Sequence, residues 1–440
     1  MLHNPTLLRF APSVVGLIAF AAMTSLYEWN YPLYLAILKG VGIRPWRYPF
    51  LDGEFMYAMK QCWLQGVDVY KAVPCDVVPG NKMAYSPLWQ RLPMLPSDTA
   101  ARVPIGLVTD LLLLLSISFL PPARSWRDAV LLSLATLSTM VCFALERNNI
   151  DVWIYLLIFG GGLLFGGNFL SRCFSYLLFM LAGLLKYYPM ILFLMALRER
   201  PQRFWVIALS SFAGLILFVI VFWQELREAM PNVPTRSPFE GSVGIVNIPF
   251  FVALLPWWPT PGASAIAQQL CRLGLVALVM ILAYRLAARP DFAAGFARLP
   301  EAGSVWLVIG CLVMGGCYLL IQSLGYRGVY LLPVLSGLLA LRQFTDDSPW
   351  RNELGRVTIA VVAIMWMEGV RLWARALALT LGGSPAPRIE LTVWVIREVL
   401  WLYLARVMVA VLISHVAQSN LGRSLYKHSS LFRKLAPLQP

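Results

Sequence analysis

Runs of apolar residues with few charges recur along this 440-residue chain, most of them near the length that crosses the hydrocarbon of a bilayer. They fall at 8–28, 103–121, 128–145, 150–167, 172–186, 187–198, 204–223, 265–286, 303–322, 326–342, 357–378 and 391–414. The pattern predicts about twelve spanning or part-spanning helices. None of the runs alternates polar and apolar positions as the strands of a membrane barrel do. The expected fold is therefore an all-α polytopic membrane protein, a single integral membrane domain over 1–440. The first run, 7–26, is longer than the apolar core of a signal peptide and no soluble sequence follows it, so it predicts a retained helix. Three polar stretches matter: a long first loop at 38–100, a second at 224–264 and a basic tail at 415–440.

Composition sharpens this. The chain is 59% hydrophobic and 13% charged, with a mean hydropathy of +0.68, which excludes a soluble protein. Its net charge of +14 resembles that of a nucleic-acid binder. No basic block with interleaved aromatics supports that reading, and in membrane proteins Lys and Arg collect in cytoplasmic loops. With the N-terminus inside, Arg124, Arg127 and Arg172 fall inside and 146–151 falls outside. Read as one helix, 173–197 would put Arg198, Arg200 and Arg203 outside. Two short helices broken at Lys186-Tyr187-Tyr188-Pro189 return them to the cytoplasm. Pro189 lacks an amide donor and disfavours helix at Tyr188, so a break is expected there. Arg285, Arg289, Arg298, Arg342, Arg351, Arg356 and the tail 423–434 then lie inside, and 224–264 and 379–390 outside. Both termini are cytoplasmic in this reading.

The seven cysteines show no metal-ligand spacing. Cys142, Cys173, Cys271, Cys311 and Cys317 fall in or beside apolar runs and read as packing residues. Cys62 and Cys75 share the first loop and can pair if it faces an oxidising compartment. The three histidines, His3, His415 and His428, are far apart, which argues against a histidine metal site or a catalytic triad. No cofactor is expected; a divalent cation is not favoured, since no third acidic ligand is evident near Asp52.

This topology gathers polar groups on the outer face: Asp52 and Glu54, Tyr85-Ser86-Pro87-Leu88, 146–151, Lys186, the loop around Arg236 and Glu240, and Tyr326-Arg327. Lys186 and Arg327 are cations at outer helix ends, against the positive-inside bias. A phosphate would give them a purpose, since each supplies charge-assisted donors. Pairing with Glu146 or Asp151, or snorkelling to the interface, is the plainer account.

Several short motifs follow one another in order. The first loop holds Asp52-Gly53-Glu54-Phe55, Gln65-Gly66-Val67-Asp68-Val69-Tyr70 and Tyr85-Ser86-Pro87-Leu88. Beyond it come Glu146-Arg147-Asn148-Asn149-Ile150-Asp151, Lys186-Tyr187-Tyr188-Pro189, and Tyr326-Arg327 with Leu331-Leu332-Pro333. From about residue 45 to 335 this order resembles the GT-C membrane glycosyltransferases, in particular the bacterial polyprenyl-phosphate-mannose-dependent mannosyltransferases. One departure is the Glu-Arg-Asn-Asn turn, where many of those enzymes have Gly-Gln-x-Asn. The resemblance implies a GT-C fold in the bacterial inner membrane, its active site facing the periplasm. It implies inverting transfer of a sugar, mannose by default, from a polyprenyl-phosphate donor to a glycolipid or glycan. Asp52 would be the general base, with Glu54 two residues away as the alternative. Lys186 and Arg327 would hold the departing phosphate.

Asp68, Tyr70, Tyr85, Asn148, Asn149, Tyr187 and Tyr326 are the candidate substrate contacts. Each has a structural alternative: Asp68 capping a turn and Tyr70 packing the loop, Tyr85 in a structural turn, Asn148 and Asn149 capping the fourth helix. Trp46, Trp63 and Trp89 read as an interfacial belt rather than a sugar platform. Two rival functions remain. A polysaccharide polymerase or ligase would carry a large late outer loop, whereas 379–390 is short. A lipid-linked sugar transporter or flippase would place charges near the bilayer midplane and interrupt helices in two matching halves.

Overall fold

Hydrocarbon offers no partner for backbone N–H and C=O groups, so a chain this apolar must satisfy them within its own helices. The structure, a computed structural model, does so. It describes residues 5–43, 45–46, 48–233, 241–253, 261–320, 322–346, 348–380 and 386–423. Among these the only strands are two residues each, Ser242–Val243 paired antiparallel with Ser323–Leu324. Among the described residues eight helices are long and apolar enough to cross a membrane, or nine if one bent pair counts as a span. The shorter apolar helices Ile150–Phe165 and Tyr188–Arg198 stand apart from that number. The loop around Arg236 and Glu240 lies outside the described residues, as do His3, His428 and the tail beyond 423.

Burial sorts the helices into inner and outer. The helix Glu301–Leu320 is apolar on all sides, and 83% of its central window is buried, against Leu331–Phe344 and Ala386–Gln418. At the rim, only 11% of the window of Pro201–Val221 is buried. It turns Trp205, Leu209, Phe212, Leu217 and Ile220 outward. A sheath of that kind is stable only in lipid. The chain is a multi-pass membrane protein.

Two breaks depart from continuous helix. The run 128–145, expected as one helix, divides into Trp126–Thr136 and Thr139–Arg147, bent by 43°. Ser138 adopts an extended backbone there, and its side chain accepts a hydrogen bond from the Val141 N–H, starting a new helix. The break at Lys186–Pro189 forms as expected. The α-helix Phe169–Lys186 ends, Tyr187 takes a φ of 47°, and the chain continues as a 3-10 helix, Tyr188–Arg198. The run at 326–342 likewise opens as a 3-10 turn, Gly325–Tyr330, before the α-helix Leu331–Phe344.

The first loop is folded. Its helix Leu51–Leu64 packs against the helices Arg102–Ser116 and Thr139–Arg147, and Cys62 and Cys75 are joined in a disulfide. Lys60 Nζ donates to the carbonyls of Leu92 at 2.6 Å and Leu95 at 2.5 Å. Trp89 Nε1 donates to the Leu185 carbonyl at 3.0 Å, fixing the loop to the residue before Lys186. From the second loop, Asn232 Nδ2 donates to the carbonyls of Tyr70 at 2.8 Å and Met83 at 3.0 Å.

Candidate active site

Three non-glycine residues among those described have positive φ: Phe50 at 67°, Asn148 at 44° and Tyr187 at 47°. Such backbone costs on the order of 1–3 kcal/mol at each residue and persists only where the surroundings impose it. Each sits within two residues of Asp52, Asn149 or Lys186. Phe50 is held by its N–H, which donates to the Glu146 carbonyl at 2.7 Å. Asn148 ends the helix Thr139–Arg147, and its Nδ2 donates to Thr109 Oγ1 at 2.6 Å and Asp110 Oδ1 at 3.0 Å. Gly53 lets the first-loop helix approach this turn, because a Cβ there would lie 2.9 Å from Asn148 Oδ1.

Asn149 does two things. Its Oδ1 accepts the Asp151 N–H at 3.1 Å, capping the helix Ile150–Phe165. Its Nδ2 donates to Asp52 Oδ2 at 2.7 Å. Arg147 Nη1 stands 3.7 Å from the other Asp52 oxygen, and the Asp52 side chain remains 32% exposed. Glu54 is placed differently. Its side chain is 6% exposed and accepts from Arg102 Nη1 at 2.6 Å. Tyr48 donates to its second oxygen at 3.2 Å, and the Arg102 guanidinium stacks 3.9 Å from the centre of the Tyr48 ring. Of the two carboxylates, Asp52 is oriented and open, whereas Glu54 is enclosed in an ion pair.

The same turn supplies Asp151, fully buried, to a second cluster. Lys186 Nζ lies 2.7 Å from Asp151 Oδ2, and Arg327 Nε 3.7 Å from it. Tyr188 donates its hydroxyl proton to Asp151 Oδ1 at 2.5 Å. The Tyr330 hydroxyl lies 2.5 Å from the Tyr188 oxygen and 3.2 Å from the Asp151 carbonyl, to which it donates. Lys186 Nζ lies between the rings of Tyr85 and Tyr326, 5.3 and 5.5 Å from their centres. The Arg327 guanidinium lies 4.7 Å from the centre of the Tyr188 ring, and its Nη1 donates to Ser323 Oγ at 2.6 Å. Both cations do pair with Asp151, the plainer account of them. Two cations facing one carboxylate still leave an excess positive charge beside the Tyr85 and Tyr326 rings.

Asp52, Asn149, Lys186, Arg327, Tyr85 and Tyr326 are thus brought together around the 148–151 turn, with Asn148 behind it as a brace. Tyr187 is half-exposed beside Ser86, with which it shares a hydrogen bond. Asp68 and Tyr70 lie elsewhere. Asp68 pairs with Lys71 at 2.7 Å and accepts the Tyr70 N–H at 3.2 Å. The hydrogen bond from Lys71 holds the Asp68 carboxyl below its ordinary value. Tyr70 is buried and accepts from Gln90 Nε2 at 3.0 Å. No group of three or more His, Cys, Asp or Glu among the described residues could hold a metal ion.

No family model, curated protein or solved structure matches this chain. The site therefore rests on its own geometry.

Sequence reasoning had offered Asp151, beside Glu146, as a partner of the two cations, and did not single out Arg147, Tyr188 or Tyr330 for these positions. A signal existed for two of them. Arg147 belongs to the polar run between two apolar ones, and Tyr188 precedes the helix-breaking proline. Tyr330 had none, since its contacts are wholly tertiary.

Proposed function

We propose that this protein is a GT-C-type glycosyltransferase with about twelve spanning or part-spanning helices. It would move a sugar, mannose by default, from a polyprenyl-phosphate lipid to a glycolipid or glycan acceptor. The membrane would be a bacterial inner membrane, with the site on its periplasmic side. One observation carries the reading: a single turn, 148–151, orients an accessible carboxylate through Asn149 and pairs two cations through Asp151.

In this reading the acceptor hydroxyl approaches Asp52, which takes its proton as the oxygen attacks the anomeric carbon from the face opposite the phosphate. The bond from that carbon to the phosphate oxygen breaks, and its electron pair leaves with polyprenyl phosphate. Negative charge grows on the leaving oxygen beside Lys186 and Arg327, where fixed cations stabilise it most at the transition state. Asn149 keeps Asp52 aimed, and Asp151 keeps the cations from drifting toward water.

The test uses purified protein in nanodiscs with radiolabelled polyprenyl-phosphate sugars and a lipid extract of the host membrane. Label should move to a new product with wild type and not with Asp52→Asn. Intact binding of the lipids with no transfer from any donor would instead favour a lipid transporter.

A further inference from the structure

A second polar place lies at the other end of the 3-10 helix Tyr188–Arg198. There a cavity of about 320 Å³ opens where that helix meets the start of Glu301–Leu320, the end of Ala386–Gln418 and the short helix Pro290–Ala297. Eleven residues of 3-10 helix, rising about 2 Å each, set it roughly 20 Å from the Asp151 cluster. Its charged lining is Arg198, Arg423 and Glu301, with Ser304, His415 and Asn420 among the polar part.

In the sequence Arg198 stands beside Glu199, and the pair looks self-neutralising. The fold separates them. Glu199 is buried against Arg172, 2.7 Å from its Nε, and accepts from the Tyr176 hydroxyl at 3.4 Å. Arg198 turns the other way. Its Nη2 donates to Ser304 Oγ at 2.5 Å and its Nε to His415 Nδ1 at 3.5 Å. Because Nδ1 of the buried His415 accepts, its Nε2 carries the proton and donates to the Leu194 carbonyl at 3.2 Å. Both partners of the guanidinium are therefore neutral, and among the described residues its Nη1 donates to nothing.

Arg423 is exposed and donates to Asn420 Oδ1 at 3.3 Å. Asn420 Nδ2 donates in turn to the Arg198 carbonyl at 2.5 Å, so one amide ties the two arginine positions together. Neither arginine is ion-paired among the described residues, although Glu301 shares their cavity. The sequence beyond Arg423 contains no Asp or Glu that could neutralise them. A guanidinium turned into a cavity without a carboxylate leaves its charge to be met from outside the chain.

We propose that this cavity binds a phosphate group, of a lipid headgroup or of the free ion, between Arg198 and Arg423. Guanidinium forks take phosphate oxygens two at a time. Two forks arriving from separate elements suit a tetrahedral anion, with oxygens on several sides, better than a flat carboxylate. The proposal stands apart from the glycosyltransferase reading, since no sugar transfer enters it.

Two probes test it on the purified full chain in phosphate-free detergent. Inorganic phosphate is titrated by calorimetry, and phosphatidylglycerol is compared with phosphate-free diacylglycerol by native mass spectrometry. Each measurement is repeated in Lys186→Ala, which takes out the other phosphate site. Wild type should bind phosphate or prefer phosphatidylglycerol to diacylglycerol, and Arg198→Gln and Arg423→Gln should each weaken that binding about tenfold. Arg200→Gln, at an exposed arginine outside the cavity, should change nothing. Arg423 is exposed, so its variant keeps the test decisive if Arg198→Gln fails to fold. Binding of phosphate alone would identify the free ion and selective retention of phosphatidylglycerol alone a lipid headgroup; either supports the site. Folded wild type that binds neither probe would overturn it. So would folded Arg198→Gln and Arg423→Gln that bind as wild type does, or a loss confined to Lys186→Ala.

Discussion

Asp52 and Glu54 are two residues apart on one helical turn, yet their surroundings give them opposite characters. Glu54 is enclosed by Arg102 and Tyr48, whereas Asp52 is steered by Asn149 and partly open. Asp52→Asn should therefore lower transfer by about a thousandfold while the protein inserts and melts as wild type does. Glu54→Gln should chiefly lower the melting temperature, since it removes the anion that the half-buried Arg102 pairs with and leaves the enclosed site unbalanced. Assays of turnover and thermal unfolding on both variants separate the two roles; equal loss of turnover would remove the distinction. Lys186→Ala should weaken donor binding by about ten- to a hundredfold and leave acceptor binding unchanged. Isotherms for each lipid check this, and equal loss for both would make Lys186 a purely structural partner of Asp151.

At the scale of elements, local chemistry made some features legible and hid others. The break after Lys186 could be read from Pro189 only together with the basic residues Arg198, Arg200 and Arg203, because a missing amide donor alone does not end a helix: Pro12 sits inside the helix Pro5–Trp29. The break at Ser138 could not, since a serine inside an apolar run serves equally as a helix residue. What decides there is a side-chain cap that exists only once the chain has bent. The order of polar motifs marked the 146–151 turn as a site and left Glu146 or Asp151 as the partner of Lys186, but it did not show that Asn149 would face Asp52 or which of the two acids Lys186 would meet. That division follows from helical geometry at a capped start. The meeting of Arg198 with His415 was illegible, because residues 217 apart say nothing of a shared cavity until the helices pack. Gly53 gives this scale its own prediction. Gly53→Ala drives a methyl group against Asn148 and should cost about 1–3 kcal/mol, read as a lower melting temperature. An unchanged melting temperature would mean that the turn has room to yield.

For the whole molecule, the first loop acts as a module set on the membrane body and held from several sides. Lys71 stands out from it with a side chain 81% exposed. A cysteine replacing Lys71, in a background lacking the five unpaired thiols at Cys142, Cys173, Cys271, Cys311 and Cys317, should react with an impermeant reagent on intact cells. Labelling only after permeabilisation would invert the proposed orientation. The disulfide latches the module by closing a separation of 13 residues, and such a loop is worth about 3 kcal/mol. It also joins the end of the helix that carries Asp52, Leu51–Leu64, to the loop that follows it. Thiols oxidise only where the surroundings allow it. A copy inserted the wrong way round, with this loop among reductants, would carry an unlatched module and a poorly held Asp52. In the proposed enzyme the pairing of Cys62 with Cys75 would thus act as a checkpoint on biogenesis, withholding activity from any molecule whose first loop had not been exported.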